Sequence, residues 1–171
     1  RNMEERSHLT MVKGFTEILA NHMMQDYPEY GLTEEKIKII VSASVLHDVG
    51  KVMIPDAILL KPGKLTGEEF EYMKSHSIRG YDMIESIKEL WEEDYVKCSM
   101  ESTRSHHEKY DGGGYPDGLK GDEIPISAQL VSIADCYAAL ISESVYKDAI
   151  PLDEAFNMIL QGECGVFSYK L

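Results

Sequence analysis

Residues 127–142, SAQLVSIADCYAALIS, are apolar on nearly every side of a helix and carry one charge, Asp135. A helix without a polar face must be enclosed by other elements. This stretch therefore requires a fold with one buried helix at its centre. A carboxylate inside such a helix is costly unless it is paired or bound to a metal.

The remaining elements also read as helices. Leu9, Val12, Phe15, Leu19 and Met23 recur at spacings of three and four, predicting a helix from near residue 3 to residue 25 that Pro28 and Gly31 end. Thr33, followed by two glutamates, is an N-cap for a helix with Ile37, Ile40, Val41, Ala43, Ser44 and Leu46 on one face. That helix ends near His47-Asp48. Thr66-Gly-Glu-Glu opens another, with Phe70, Met73 and His76 on one face and His76 in mid-helix. A helix over 78–89 either continues it or is broken from it at Gly80. Residues 94–107 and 152–160 complete the set, and 111–126 read as loop. No stretch reads as a strand. The expected fold is all-α, a compact helical bundle forming a single domain over residues 1–171. The chain begins at Arg1, inside a helical stretch, so a fragment of a longer protein is expected.

Composition narrows the partners. Thirty acidic and 17 basic residues give a net charge of −13. Such a surface does not favour DNA or RNA, and it does not attract anionic membrane. An anionic substrate would need local positive charge, from a metal or well-placed lysines. Three widely spaced cysteines with no CxxC point to neither a disulfide framework nor a cysteine zinc site, and a reducing cytosol is the default compartment. No apolar run approaches the roughly 20 residues of a membrane span, and no signal peptide is visible. Cytoplasmic location is the expectation.

Chemistry-bearing residues gather at the helix ends. His47 and Asp48 close one helix, His106 and His107 another, and Glu4 and His8 share one helical face. Singly, each has a bland explanation: a helix-terminal imidazole facing the dipole, a satisfied core histidine at His76 or His22, a solvated face at Glu4 and His8. Together with Asp135 they form a mixed imidazole and carboxylate set drawn from several helices, a recognised way to build a metal site in a bundle. Such ligands suit iron, manganese or zinc rather than calcium. On the residues alone, a multi-metal site and a set of unrelated core and surface residues both stay open.

The motifs LHDVGKVMIPDAILLKPGKLT, HSIRG, HHEKYDGGGYPDGLKGDEIP and SIADCYAALISESVYKDA, in this order, resemble the HD-GYP domain, a branch of the HD-type metallophosphohydrolases. The resemblance runs from Glu4 to Phe167. The HD pair is His47-Asp48 and the signature Gly114-Tyr115-Pro116. It implies a bacterial phosphodiesterase that cleaves cyclic di-GMP with two or three divalent transition metal ions, iron or manganese ahead of zinc or nickel. The implied metal ligands are His8, His47, Asp48, His76, His106, His107 and Asp135, with Glu4 matching a position that helps hold a third ion in some members. Lys51 matches a lysine near the scissile phosphate, with Asp48 the bridging carboxylate. Tyr115 and Lys147 match residues that line the nucleotide site. A fused regulatory domain outside the fragment is a further implication.

The chain departs from the family pattern near Asp135. Ala138 stands where an Asp is usual, Ile141 where a Thr is, Ser144 where an Arg is, and Val145 where a Pro is. Phe167-Ser168-Tyr169 replaces Phe-Asp-Pro. A guanidinium grips phosphate or a guanine edge with two parallel hydrogen bonds, and serine cannot. These departures carry an alternative, a catalytically weakened cyclic-dinucleotide receptor or interaction module that keeps its metals. A hydrolase of another phosphate ester is a third reading, disfavoured by the complete HHEKYDGGGYP stretch.

Overall fold

A computed structural model describes residues 2–142 and 149–171, with side chains from Arg6 onward. Among the described residues every regular element is helical. The α-helices are α1 (Asn2–Asp26), α2 (Glu34–Ala43), α3 (Asp56–Leu59), α4 (Gly67–Lys74), α5 (His76–Ser86), α6 (Glu93–Ser105), α7 (Ile126–Ile141) and α8 (Leu152–Leu160). Short 3-10 turns join several of them. No described helix is long and apolar enough to cross a membrane.

The apolar helix takes the central place its sequence requires. α7 packs on α1, α6 and α8. Its Ala128, Leu130, Val131, Ala134 and Ala138 are all but inaccessible. One core cluster joins Leu130 to Ala20 and Met23 of α1 and to Ile37, Ile40 and Val41 of α2. A second joins Val131, Ala134 and Ala138 to Val12 of α1. The caps form as the sequence predicts. Thr33 Oγ1 accepts the Lys36 N–H at 3.2 Å, and Thr66 with Glu69 makes a reciprocal capping box.

The break in the α4–α5 region is not at Gly80. It falls at Ser75, so His76 opens α5 rather than lying in mid-helix. The Ser75 hydroxyl donates to the Tyr72 carbonyl at 2.6 Å and accepts from Arg79 Nε at 2.9 Å. These local side-chain bonds compete with the continuous helical ladder. Gly80 sits inside α5 because its face is crowded. A Cβ there would lie 2.5 Å from the Thr103 methyl of α6 and 3.0 Å from Gly50 N. Gly50 and Gly80 thus let the turn after His47-Asp48 lie directly on α5.

Candidate metal centre

Five segments deliver the site. The turn after α2 carries His47 and Asp48, the start of α5 carries His76, the end of α6 carries His106 and His107, and α7 faces Asp135 toward His8 of α1. Two groups of potential ligand atoms result, Asp48 with His76, His106 and His107, and His8 with His47 and Asp135, each group within 4.8 Å. The distant stretches named by the sequence thus converge. His22 is not among them. It lies on the surface beside Asp26 at 3.0 Å.

Asp48 joins the two groups. Its Oδ1 lies 3.3 Å from His76 Nε2 and 3.6 Å from His106 Nε2. Its Oδ2 lies 3.3 Å from His47 Nε2 and 2.5 Å from Lys51 Nζ. Asp135 Oδ1 stands 2.9 Å from His8 Nε2 and 3.4 Å from His47 Nε2.

The buried imidazoles are oriented for ligation. Nδ1 of His47, His76 and His106 donates to the carbonyls of Ser44, Met73 and Ser102 at 2.7, 2.7 and 2.9 Å. With Nδ1 committed as donor, Nε2 is the atom that each imidazole turns to the centre, the arrangement that outer hydrogen bonds impose on metal-bound histidine. His76 Nε2 and His106 Nε2 then face each other at 3.4 Å. Two lone pairs at that separation repel unless a cation lies near both. His47 Nε2 and Asp48 Oδ1 are buried without a hydrogen-bond partner. The donor set therefore fits metal ions.

The electrostatics agree. Burial alone would raise the Asp48 and Asp135 carboxyls, but the surrounding imidazoles outweigh it and hold both well below the usual carboxylate range. Burial pushes His107 down to about 2, with neighbouring imidazoles adding to the shift, and it lowers His106 as well. Both are neutral imidazoles at pH 7. Burial opposes charge on His47 too, yet Asp135 and Asp48 drive it up to about 10. In the metal-free protein a proton on His47 supplies positive charge that a bound ion would replace.

The glycine loop is tied down rather than loose. A Cβ on Gly114 would lie 2.4 Å from Glu108 Cα and Lys109 N, so only glycine can rest on that backbone. The Tyr115 N–H donates to the His107 carbonyl at 3.2 Å, and the Tyr115 ring stacks on the His107 ring with centroids 4.7 Å apart. Burial pushes the Tyr115 phenol up, so it remains a neutral hydroxyl. Tyr115-Pro116 is a cis peptide.

Glu108 was not singled out by sequence reasoning. It is 2% exposed, and its carboxylate accepts the Asp117 N–H at 2.7 Å and the Leu119 N–H at 3.0 Å. Arg104 adds a two-bond pair with Asp117 at 2.7 and 2.8 Å. The only available signal was an acid placed between the histidine pair and the glycines. Replacing Glu108 with Ala should leave two backbone donors unpartnered and cost about 3 kcal/mol. Urea denaturation of the two proteins checks it, and a change under about 0.5 kcal/mol would show that the clamp contributes little.

Other expectations divide. Ala138 lies fully buried against Val12, Val131 and Ala134, so it is a core residue facing α1. Ser144, Val145 and Lys147 lie outside the described residues, as does the Glu4 side chain. Glu4 and His8 do share the continuous helix α1.

A family model described as HD domain matches residues 8–165. A probable cyclic di-GMP phosphodiesterase of Vibrio cholerae is 42% identical over 165 residues, which is 95% of this chain and 37% of that protein. A 3'3'-cGAMP-specific phosphodiesterase 2 of the same organism is 42% identical over 148 residues, 86% of this chain and 26% of that protein. Among solved structures, the HDG"Y"P protein Bd1817 of Bdellovibrio bacteriovorus superimposes with a TM-score of 0.70 at 22% identity, covering 95% of this chain and 48% of that one. The chain thus spans between about a quarter and a half of the length of these proteins.

Proposed function

We propose, from the premise that this chain belongs to the HD domain family, that it is a metal-dependent phosphodiesterase hydrolysing cyclic di-GMP, acting in the cytoplasm. The observation that carries the proposal is Asp48, whose two oxygens face the two ligand groups separately. A carboxylate so placed suits a pair of ions. The substrate follows the V. cholerae relative named for cyclic di-GMP, while the relative named for 3'3'-cGAMP makes that nucleotide the natural competitor in any substrate test.

His8, His47, Asp135 and Asp48 would hold one ion, and Asp48, His76, His106 and His107 the other, with Glu4 the candidate for a third. Imidazole and carboxylate together favour iron or manganese, with zinc or nickel as substitutes. Bound ions of this kind activate water and neutralise charge on a phosphodiester at neutral pH. The protein's own groups do the remaining work. Lys51 Nζ, beside Asp48 Oδ2, offers positive charge to the scissile phosphate as its leaving oxygen develops charge. Tyr115, locked to His107, gives a rigid apolar face and a neutral hydroxyl to the nucleotide. The backbone carbonyls of Ser44, Met73 and Ser102 keep the imidazoles aimed inward throughout.

Ser144 sets the affinity in this proposal. Without the usual guanidinium the pocket lacks one bidentate phosphate contact, worth roughly 1.5–3 kcal/mol. Ser144→Arg should tighten cyclic di-GMP binding by about ten- to a hundred-fold and raise kcat/KM, with metal content unchanged. Calorimetric titration of both proteins is the check. Equal affinities would mean that position 144 does not touch the nucleotide.

A further inference from the structure

We propose that Lys74 is a substrate-binding residue of this site, holding the second, non-scissile phosphate of the cyclic dinucleotide; the proposal rests on the phosphodiesterase reading above. Lys74 ends α4, two residues before His76. Its carbonyl accepts the Ser77 hydroxyl at 3.0 Å, and Ser77 is fully buried, so the root of the side chain is fixed. Its ammonium stands 5.4 Å over the Tyr115 ring and 5.2 Å over the Phe70 ring. Tyr115 in turn stacks on His107, a member of the ligand cluster. The Lys74 charge is therefore one aromatic ring removed from the metal centre.

Its present partner holds it loosely. Lys74 Nζ pairs with Glu71 at 2.7 Å, and the Glu71 side chain is 68% exposed. Ion pairs at such exposure are worth little, so a phosphate can displace the carboxylate at small cost. Lys51 differs, because it is bound to the metal-facing carboxylate of Asp48 and serves the reacting phosphate. A cyclic dinucleotide carries two phosphodiester anions. One belongs at the metals with Lys51, and the other needs a cation nearby but outside the ligand cluster. On a chain of net charge −13 that cation must be local, because the long-range field repels the ligand. Lys74 beside Tyr115 meets that requirement.

The test uses Lys74→Met, which keeps an unbranched apolar stem and removes the charge, and Lys74→Arg, which keeps the charge. Substrates are cyclic di-GMP and bis(p-nitrophenyl) phosphate, a phosphodiester with a single anion. For Lys74→Met, KM for cyclic di-GMP should rise about ten-fold while kcat changes by under about two-fold. Any loss on the single-anion ester should also stay under about two-fold. Lys74→Arg should restore most of the affinity. An unchanged KM for cyclic di-GMP, or equal losses on both substrates, overturns the proposal. If the wild-type protein does not cleave cyclic di-GMP, the phosphodiesterase reading fails by that result alone. Equilibrium binding of the same nucleotide then decides the role of Lys74. Binding about ten-fold weaker in Lys74→Met upholds it, while equal binding, or none to the wild type, overturns it.

Discussion

Replacing Asp48 with Ala should strip at least one metal ion per chain and lower hydrolysis by about 10³-fold or more. Both carboxylate oxygens are engaged, Oδ1 toward His76 and His106, Oδ2 toward His47 and Lys51. Truncation would remove one member of the first group and the oxygen that faces His47 of the second. It would also leave the inward-facing Nε2 atoms of His76 and His106, 3.4 Å apart, without the negative charge that a shared cation requires beside them. Lys51 would lose the partner that positions it. Elemental analysis and rate measurement on the same preparation check the prediction, with circular dichroism confirming the helices. Full metal content together with a wild-type rate would mean that the centre is assigned to the wrong residues.

A second large effect is expected at Gly50. A Cβ there would lie 1.9 Å from the His76 carbonyl oxygen and 2.6 Å from Gly80 N. Both are backbone atoms at the start and middle of α5, so no flexible side chain can give way. Gly50→Ala must therefore push the turn carrying Asp48 away from the helix carrying His76. Overpacking of this severity costs about 3 kcal/mol or more, and metal binding should weaken with it because two ligands are driven apart. Gly67 is the control, since a Cβ there meets nothing within 4 Å. Denaturant titration of Gly50→Ala and Gly67→Ala checks the pair. A loss under about 1 kcal/mol at Gly50 would show that α5 can move aside without cost.

Helical periodicity carried most of the architecture. The stripe from Leu9 to Met23 and the all-apolar stretch around Asp135 are local patterns, and each requires a particular environment whatever surrounds it. The convergence of the His and Asp residues was legible for a different reason. Buried imidazoles and carboxylates are few in number, and the order of motifs around them is long and specific. What was not legible depends on contacts between segments. The α4–α5 break has no proline or glycine to announce it and comes from the Ser75 hydroxyl capturing the Tyr72 carbonyl. Glu108 reads as a surface acid until the loop folds back and presents the Asp117 and Leu119 N–H groups to it. Ala138 reads as one of the departures that point to weakened function, yet its side chain faces α1 in the core. Nothing local distinguishes Lys74 from the other lysines. Only the packing of the Gly-Tyr-Pro loop against α4 places an aromatic ring beneath it.

The most direct test of the central claim is product chromatography of cyclic di-GMP incubated with the purified protein, before chelation, after removal of metal, and after return of iron or manganese. The predicted result is cleavage that stops on chelation and recovers with the returned metal, at a stoichiometry of about two or three ions per chain. Cleavage that persists undiminished in the metal-free protein, or metal-loaded protein that leaves cyclic di-GMP intact, would contradict it.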